Sequence, residues 1–361
     1  MTLTDENLKI LAALGKNPTG TNQSLCKDVG ISSQSLKNRL DQLYSQKIFL
    51  GVSATVSPFA VGLEPIAVFA EVSPENWSLF EKICDDHPYT RYRIRTFGAV
   101  NGIFAIFSVP FHTTHILIDL LEKLKKRGSI QNYELAVPTS SYLSSETDFG
   151  YYDVNIGWNF NWDKWEKTLE ADEANGLESP PPSVLQRLDE KDMGILRQLS
   201  INSRRKNKDI AKILGIEPYH LSRRKKAMER MKVINYYRVL VGNQSLQITS
   251  HALLNCKASN DVIGSVATAV KQLPFQSTLI PVLDGFILYT TTTSLDFPIL
   301  VTALRKQCSS MEFMWCDYRS GYRYWFYDEP FQNRQWKAEY DFMVRDVLCP
   351  LKNGDSDDIE N

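Results

Sequence analysis

Apolar residues return at helical spacing from the start of the chain. Leu8, Leu11 and Leu14 fall on one side, with Thr4 ahead of them as a cap and Asp5 and Glu6 in the opening turn. The pattern predicts a second short helix ending at Gly30, where glycine supplies the left-handed turn into a third helix over roughly Ser32–Tyr44. A β-rich stretch, Ile48–Val56, follows. The same order appears again further on. Ile195, Leu196 and Leu199 keep helical spacing behind an Asp189 cap, a short helix runs to Gly215, a third covers Glu217–Met231, and Val233–Val241 reads as β.

Laid over each other at an offset of 185, the stretches beginning at Leu3 and Leu188 align for about 48 residues without a gap. A repeat this long is a duplicated multi-element module, not a solenoid unit. Each copy continues as strand, helix, strand, strand, helix, strand: from Pro65 to Val137 in the first and from Thr249 to Tyr318 in the second. That βαββαβ order predicts a ferredoxin-like unit, and three helices with a glycine turn before a small hairpin predict a winged helix-turn-helix. The expected fold class is therefore α+β: two copies of a winged helix-turn-helix followed by a ferredoxin-like βαββαβ domain.

The boundaries expected are 1–57 for the first winged helix and 64–139 for its ferredoxin-like sensing and oligomerising domain, with an aromatic extension over 140–170. An acidic and Pro-rich linker spans 171–186, since EADEANGLESPPPS offers almost nothing to bury. The second copy is expected over 187–242 and 248–320, with an aromatic extension at 321–350 and a polar tail at 351–361. If the two sensing sheets pair, one chain builds an intramolecular pseudo-dimer, with further homo-oligomers open.

These residues resemble the leucine-responsive/asparagine-responsive (Lrp/AsnC) regulator family. The likeness rests on LDEKDMGIL at 188–196, DIAKILGI at 209–216, Arg39 with Leu43 and Arg224 with Met228, and Lys232-Val233-Ile234. The resemblance implies a sequence-specific DNA-binding transcription regulator. In that family an effector binds near the turn between the middle strands, at a G-x-x-D pattern. The corresponding turns here hold Gly98 and Asn101 in the first copy and Asp284 and Gly285 in the second, with Asn for Asp at 101 and Pro for Gly at 281. A small-molecule effector such as an amino acid is thus one reading, and plain hairpin turns are the other.

Charge sharpens the picture. The net charge of −1 hides an asymmetry of −6 over residues 1–185 and +5 over 186–361. Between Arg204 and Arg238 there are 12 Lys and Arg against Asp209, Glu217 and Glu229, an electrostatic footprint suited to nucleic acid. On the second copy's third helix, Tyr219, Ser222, Arg223, Lys226 and Arg230 lie opposite Leu221 and Met228, as a helix entering the major groove of double-stranded DNA requires. Arg204, Arg205, Lys206 and Lys208 enter the second helix and are expected on phosphates, whereas Arg224 is expected to be structural. The first copy's equivalent face, with Gln34, Lys37 and Asn38, has base-reading types but little to hold phosphates. It reads either as a weaker DNA head or as a protein-contact surface.

The remaining chemistry is sparse. Arg91, Arg93 and Arg95 alternate along a strand and are expected on one face, as an anion site or a charged sheet face. The aromatic extensions read as packing, as an interface, or as a ligand pocket. Six separate cysteines without a C-x-x-C pair are expected as buried thiols, and the five histidines show no metal-ligand spacing. No Gly-rich phosphate loop or G-x-S-x-G elbow appears. The reading is a non-enzyme without metal or cofactor. No apolar run suggests a membrane span and the acidic N-terminus lacks signal-peptide order, so a cytoplasmic protein is expected. The alternatives are a siroheme-type tetrapyrrole decarboxylase on the same scaffold, since fold does not fix function, and an interaction scaffold.

Overall fold

The computed structural model describes residues 3–170, 177, 179–242 and 246–349. Of the linker, residues 171–176 and 178 lie outside the described residues, as does the tail 351–361.

The chain opens with α1 (Asp5–Lys16), α2 (Asn22–Val29) and α3 (Ser33–Ser45), followed by strand β1 (Phe49–Val56). Thr4, Thr21 and Ser32 cap these helices by accepting from the backbone of Asn7, Ser24 and Ser35. Gly30 closes α2 at φ +78°, a left-handed turn that costs glycine little. Then come β2 (Leu63–Glu71), α4 (Trp77–Asp86), β3 (Thr90–Gly98), β4 (Gly102–Pro110), α5 (Thr114–Lys126) and β5 (Asn132–Ala136). Short strands β6 (Leu143–Ser145), β7 (Tyr152–Asp153) and β8 (Gly157–Trp158) lead into α6 (Trp162–Glu170).

The second half repeats the order of elements. Helices α7 (Glu190–Ile201), α8 (Asn207–Leu214) and α9 (Pro218–Arg230) precede β9 (Ile234–Val241). They are followed by β10 (Ser250–Lys257), α10 (Asn260–Val270), β11 (Ser277–Val282), β12 (Gly285–Thr292), α11 (Phe297–Gln307) and β13 (Ser310–Arg323). Asp189 and Asp192 close a capping box on α7. Arg224 then reaches across from α9 to Asp189 and Asp192 at 2.9 and 2.8 Å, the structural role expected of it.

The small hairpins expected after the third helices do not form. β1 and β9 are each a single strand without an internal turn, and they pair with each other antiparallel, Ser53 opposite Arg238 and Thr55 opposite Tyr236. One two-stranded ribbon thus ties the two halves together where two separate wings were expected.

The main sheet runs β5-β2-β4-β3-β13-β10-β12-β11-β6. β5 and β6 belong to one stretch, 132–145, that pairs with β2 at its start and with β11 at its end, helped by the Pro138–Val282 bridge. The ladder therefore closes on itself as a barrel, joined between the halves at β3 with β13 and at β11 with β6. Its inward side chains, among them Phe69, Ile94, Phe104, Leu253, Ile287 and Met314, form one core.

The outer cores are exchanged between halves. Helices α7–α9 belong to one hydrophobic cluster with β2, β4, α4 and α5, and α1–α3 to another with β10–β12, α10 and α11. The aromatic extensions follow the same rule. Trp165 donates to the Ala269 carbonyl at 2.8 Å, while Trp336 donates to the Val61 carbonyl. Each three-helix unit thus shares its core with elements of the other half.

Among the described residues no helix is long and apolar enough to cross a membrane. Cys84, Cys256 and Cys308 are buried as expected, but Cys26 and Cys316 are half-buried and Cys349 is exposed.

Candidate active site

Where the β1·β9 ribbon lies across the barrel, a cavity of about 710 Å³ opens between the two, within the ordinary range for a ligand site. Phe104, Ile106, Tyr92, Ile280 and Tyr289 line it from the inner face of the barrel, and Ser53, Tyr236, Arg238 and Leu240 from the ribbon. The cavity is lined by Arg91, Arg238, Arg319 and Arg323, and none of its described lining residues is acidic. Its rings are mostly phenols, with Tyr142, Tyr318 and Tyr324 beside those already named.

Arg91 owes its place to a register shift. β3 pairs Thr90 with Phe107 but Tyr92 with Ile106, so the backbone bulges at residue 91. A bulge re-aims a side chain, and here it breaks the alternation that would put three arginines on one face. Arg93 and Arg95 turn to α4, where they pair with Asp85 at 3.0 Å and Glu81 at 2.8 Å. Arg91 instead lines the cavity, its guanidinium 5.5 Å from the centre of the Phe326 ring. The expectation of one shared face is corrected by this bulge.

Both terminal nitrogens of Arg91 are buried without a hydrogen-bond partner among the described residues. Burial pulls its pKa down to about 10, against the opposing influence of the Tyr89 phenol, so it stays charged at neutral pH. Burial and the nearby charge of Arg238 likewise bring Arg323 down to about 10. Arg238 differs. Burial works against its charge, but Tyr236 and Glu146 outweigh that and its pKa is raised. Burial also pushes the phenols of Tyr92, Tyr142 and Tyr289 up, so they remain protonated. The Tyr142 hydroxyl and the Thr55 Oγ1 are also buried without partners. An uncompensated buried guanidinium among neutral donors is what a carboxylated ligand would satisfy.

The residues expected on DNA fall into two groups. Tyr219, Arg223, Lys226 and Arg230 lie exposed together on α9, and Lys206 and Lys208 are exposed at the start of α8. Ser222 is half-buried and bonds the Pro218 carbonyl and Asn207. Arg204 is occupied elsewhere: it donates to the carbonyls of Pro18 and Gly20 at 3.0 and 2.8 Å and to Asn22 at 2.7 Å, binding the first three-helix unit to the second. Arg205 bonds the Gln198 side chain. On α3, Gln34, Lys37 and Asn38 are exposed, with Gln34 donating to Asn38 at 2.8 Å.

The effector candidates sit at the far ends of the strands that line the cavity, and none belongs to its lining. Asn101 exchanges two hydrogen bonds of 3.2 Å with the backbone of Gly98, closing the turn on itself. Gly98 has φ +128°, and a Cβ there would meet the Phe313 carbonyl at 2.6 Å. Gly285 sits similarly against the Cys256 carbonyl, beside an exposed Asp284.

Sequence reasoning did not assemble Arg91, Arg238, Arg323 and Tyr142 into one site. A signal was present: Arg and Tyr adjoin at 91–92 and 322–324 and recur at 236–238. Among the described residues no cluster of three His, Cys, Asp or Glu could hold a metal ion.

Known proteins resemble the chain in sequence over one segment and in fold over nearly its whole length. The family model of the AsnC-type helix-turn-helix domain matches residues 188–229. No curated protein sequence matches the chain. The structure is similar to that of the siroheme decarboxylase NirDL, alone and in complex with an iron-uroporphyrin III analogue. In both cases the TM-score is 0.58 and the identity 12%, over 96% of this chain and 100% of that one. An AsnC family transcriptional regulator from Agrobacterium tumefaciens matches at a TM-score of 0.34 and 18% identity, over 38% of this chain and 92% of its own. The expectation of a non-enzyme is corrected here, because the fold that spans nearly the whole chain is one that an enzyme uses. The chain carries an AsnC-type helix-turn-helix over 188–229 within a mixed fold that it shares, end to end, with a decarboxylase.

Proposed function

We propose that the chain is an enzyme that binds a carboxylated tetrapyrrole in the barrel cavity and decarboxylates it. The observation that carries this reading is Arg91, a buried guanidinium without a partner in a roomy aromatic cavity. The whole-length likeness to a siroheme decarboxylase supports it. Loss of CO2 leaves the electron pair of the broken C–C bond on the substrate carbon, delocalised into the macrocycle, and a proton must then reach that carbon. Arginines in the cavity would hold the carboxylates, and a protonated phenol such as Tyr142 would supply the proton and recover one from solvent. The test is anaerobic incubation with siroheme, followed by absorbance and mass spectrometry. Binding shifts the visible band and turnover removes CO2. An unchanged spectrum at micromolar protein would reject the reading.

A second reading concerns the exposed face of α9. Tyr219, Arg223, Lys226 and Arg230 make a basic surface on the AsnC-type domain, which suits double-stranded DNA and a regulatory role. The two roles use separate surfaces and are compatible in one chain. The repeated order of elements and the barrel's two joins also support a tandem duplication of winged-helix and ferredoxin-like units, paired as a pseudo-dimer within the chain. Size measurement by light scattering decides whether further homo-oligomers form.

A further inference from the structure

A protein that ligates the iron of a bound tetrapyrrole does so with histidine, cysteine, methionine or tyrosine. Among the described residues that line the barrel cavity, none is a histidine, cysteine or methionine. Two such side chains lie just behind the lining. His251 is 4% exposed, hydrogen-bonds the Ile248 backbone and stacks at 4.4 Å on the ring of Tyr318, which lines the cavity where His251 does not. Cys316 hydrogen-bonds the Leu253 backbone, and burial pushes its thiol up, which keeps it protonated and a poor metal ligand. His87 is on the outer side of the barrel wall, its ring edge-on to Phe107 of the outer core.

The phenols are little better placed. Iron takes the phenolate, and burial holds Tyr92, Tyr142 and Tyr289 in the protonated form. The Tyr236 hydroxyl accepts from Arg238 at 2.9 Å, and that of Tyr324 donates to Asp85. What the cavity does offer suits the face and the rim of a ring. Phe104, Ile106, Ile280 and Leu240 are apolar contact surface, and Arg91 brings the uncompensated charge that a rim carboxylate would answer.

We propose that the cavity holds its tetrapyrrole by ring face and carboxylated rim and gives the central metal no protein ligand, so that it takes the metal-free macrocycle as well as the iron one. The inference rests on the tetrapyrrole reading above and widens its ligand class. Iron(II) replaces two pyrrole protons, so both forms carry the same net charge. Their rims and faces offer the same contacts. A bond from protein to iron is the interaction that would tell them apart, and the lining supplies no good donor for it. The site then imposes no order on metal insertion and decarboxylation.

The experiment titrates the full chain anaerobically with three probes, followed by absorbance: siroheme with its iron reduced; sirohydrochlorin, the same macrocycle without iron; and the copper(II) complex of sirohydrochlorin, whose metal takes axial ligands weakly. Sirohydrochlorin and the copper complex should bind no more than about fivefold more weakly than siroheme. Resonance Raman spectra of bound siroheme should lack an iron–imidazole stretch, and the oxidised complex should lack a phenolate-to-iron charge-transfer band. His251→Gln should leave those spectra unchanged. Arg91→Gln should weaken siroheme and sirohydrochlorin alike, by about tenfold or more. Thermal unfolding checks that each variant is folded, and the comparison of probes on the wild type stands without any variant. A preference for siroheme beyond about fivefold over both other probes overturns this inference and leaves the tetrapyrrole reading intact. So does an iron–imidazole or phenolate signature, or a loss in Arg91→Gln that is confined to siroheme or absent from both. Failure of every probe to bind, siroheme included, overturns both.

Discussion

Arg238 and Glu146 form an ion pair across the two halves of the chain, Nε to Oε1 at 2.7 Å, with the arginine side chain only 10% exposed. Arg238 also donates to the Tyr236 hydroxyl at 2.9 Å. It stands on the ribbon over the cavity, and Glu146 follows the strand that closes the barrel. The pair fixes roof to wall while removing one positive charge from the ligand's reach.

Glu146→Gln should expose what the pair does. A buried arginine left without its carboxylate destabilises a protein by several kcal/mol; because Glu146 is partly exposed, we expect about 2–4 kcal/mol here. The freed guanidinium should also attract anions. Adding uroporphyrin should raise the melting temperature of Glu146→Gln by more than that of the wild type. Equal shifts in the two proteins would show that Arg238 does not meet the ligand.

Acid should weaken the fold above the carboxylate range. Burial, reinforced by the charge of Arg91, pulls His87 down to about 3, and burial pulls His251 down to about 4. In the unfolded chain both titrate near 6.5, so between pH 6.5 and 4 the unfolded state binds the extra protons and stability falls as pH falls. Each histidine should remove about 2 kcal/mol by pH 5. Urea unfolding from pH 7 to pH 5 measures this. His87→Gln should lower stability at pH 7 and halve the pH slope, and an unaltered slope would count against a neutral buried His87.

Local features of the fold were legible because their causes are local. Thr4, Asp189, Gly30 and Gly215 mark helix ends through bonds and dihedrals within a few residues, and Arg224 was placed as structural from one turn of a helical wheel. The βαββαβ order followed from periodicity in the same way. What escaped depends on distant pairing. β1 meets β9 some 180 residues away, and the three-helix units share hydrophobic cores with the opposite halves. The bulge at Arg91 is set by the pairing of β3 with β4, and alternation along one strand does not reveal it. Arg204 looked like a phosphate ligand because its acceptors, Pro18 and Gly20, are carbonyls of the other half.

Removing Arg204 should therefore act on stability. Arg204→Ala breaks three hydrogen bonds from a charged donor and should cost about 2–4 kcal/mol, seen by chemical unfolding, with earlier proteolysis near Gly20. It should leave the salt dependence of any DNA binding unchanged.

The exposed cations of α9 should behave in the opposite way. Each phosphate contact contributes about −0.9 to the slope of log affinity against log salt. Arg223→Ala with Lys226→Ala should flatten the slope by up to about two units at little cost in stability, since both side chains are exposed. The equivalent pair Lys37→Ala with Asn38→Ala should change it by less than one such unit. A salt response that is flat for the intact protein would assign the basic face of α9 to solvent.

The exchanged packing makes a last prediction about the linker. Were each half an independent body, a cut between Pro180 and Pro182 would release two fragments. The structure instead joins α7–α9 to the first half's hydrophobic core and α1–α3 to the second's, with the β1·β9 ribbon and both barrel joins also crossing between halves. A protease site inserted at Pro181 should thus yield two chains that still elute and scatter light as one particle. Trp336 tests the strength of this association, because its ring fills the first half's core and its indole donates to Val61. Trp336→Ala should cost about 3–5 kcal/mol, the range for a large buried side chain. In the cut protein the same change should raise the fraction of free fragments on dilution. Fragments that separate readily with Trp336 intact would contradict the exchanged arrangement.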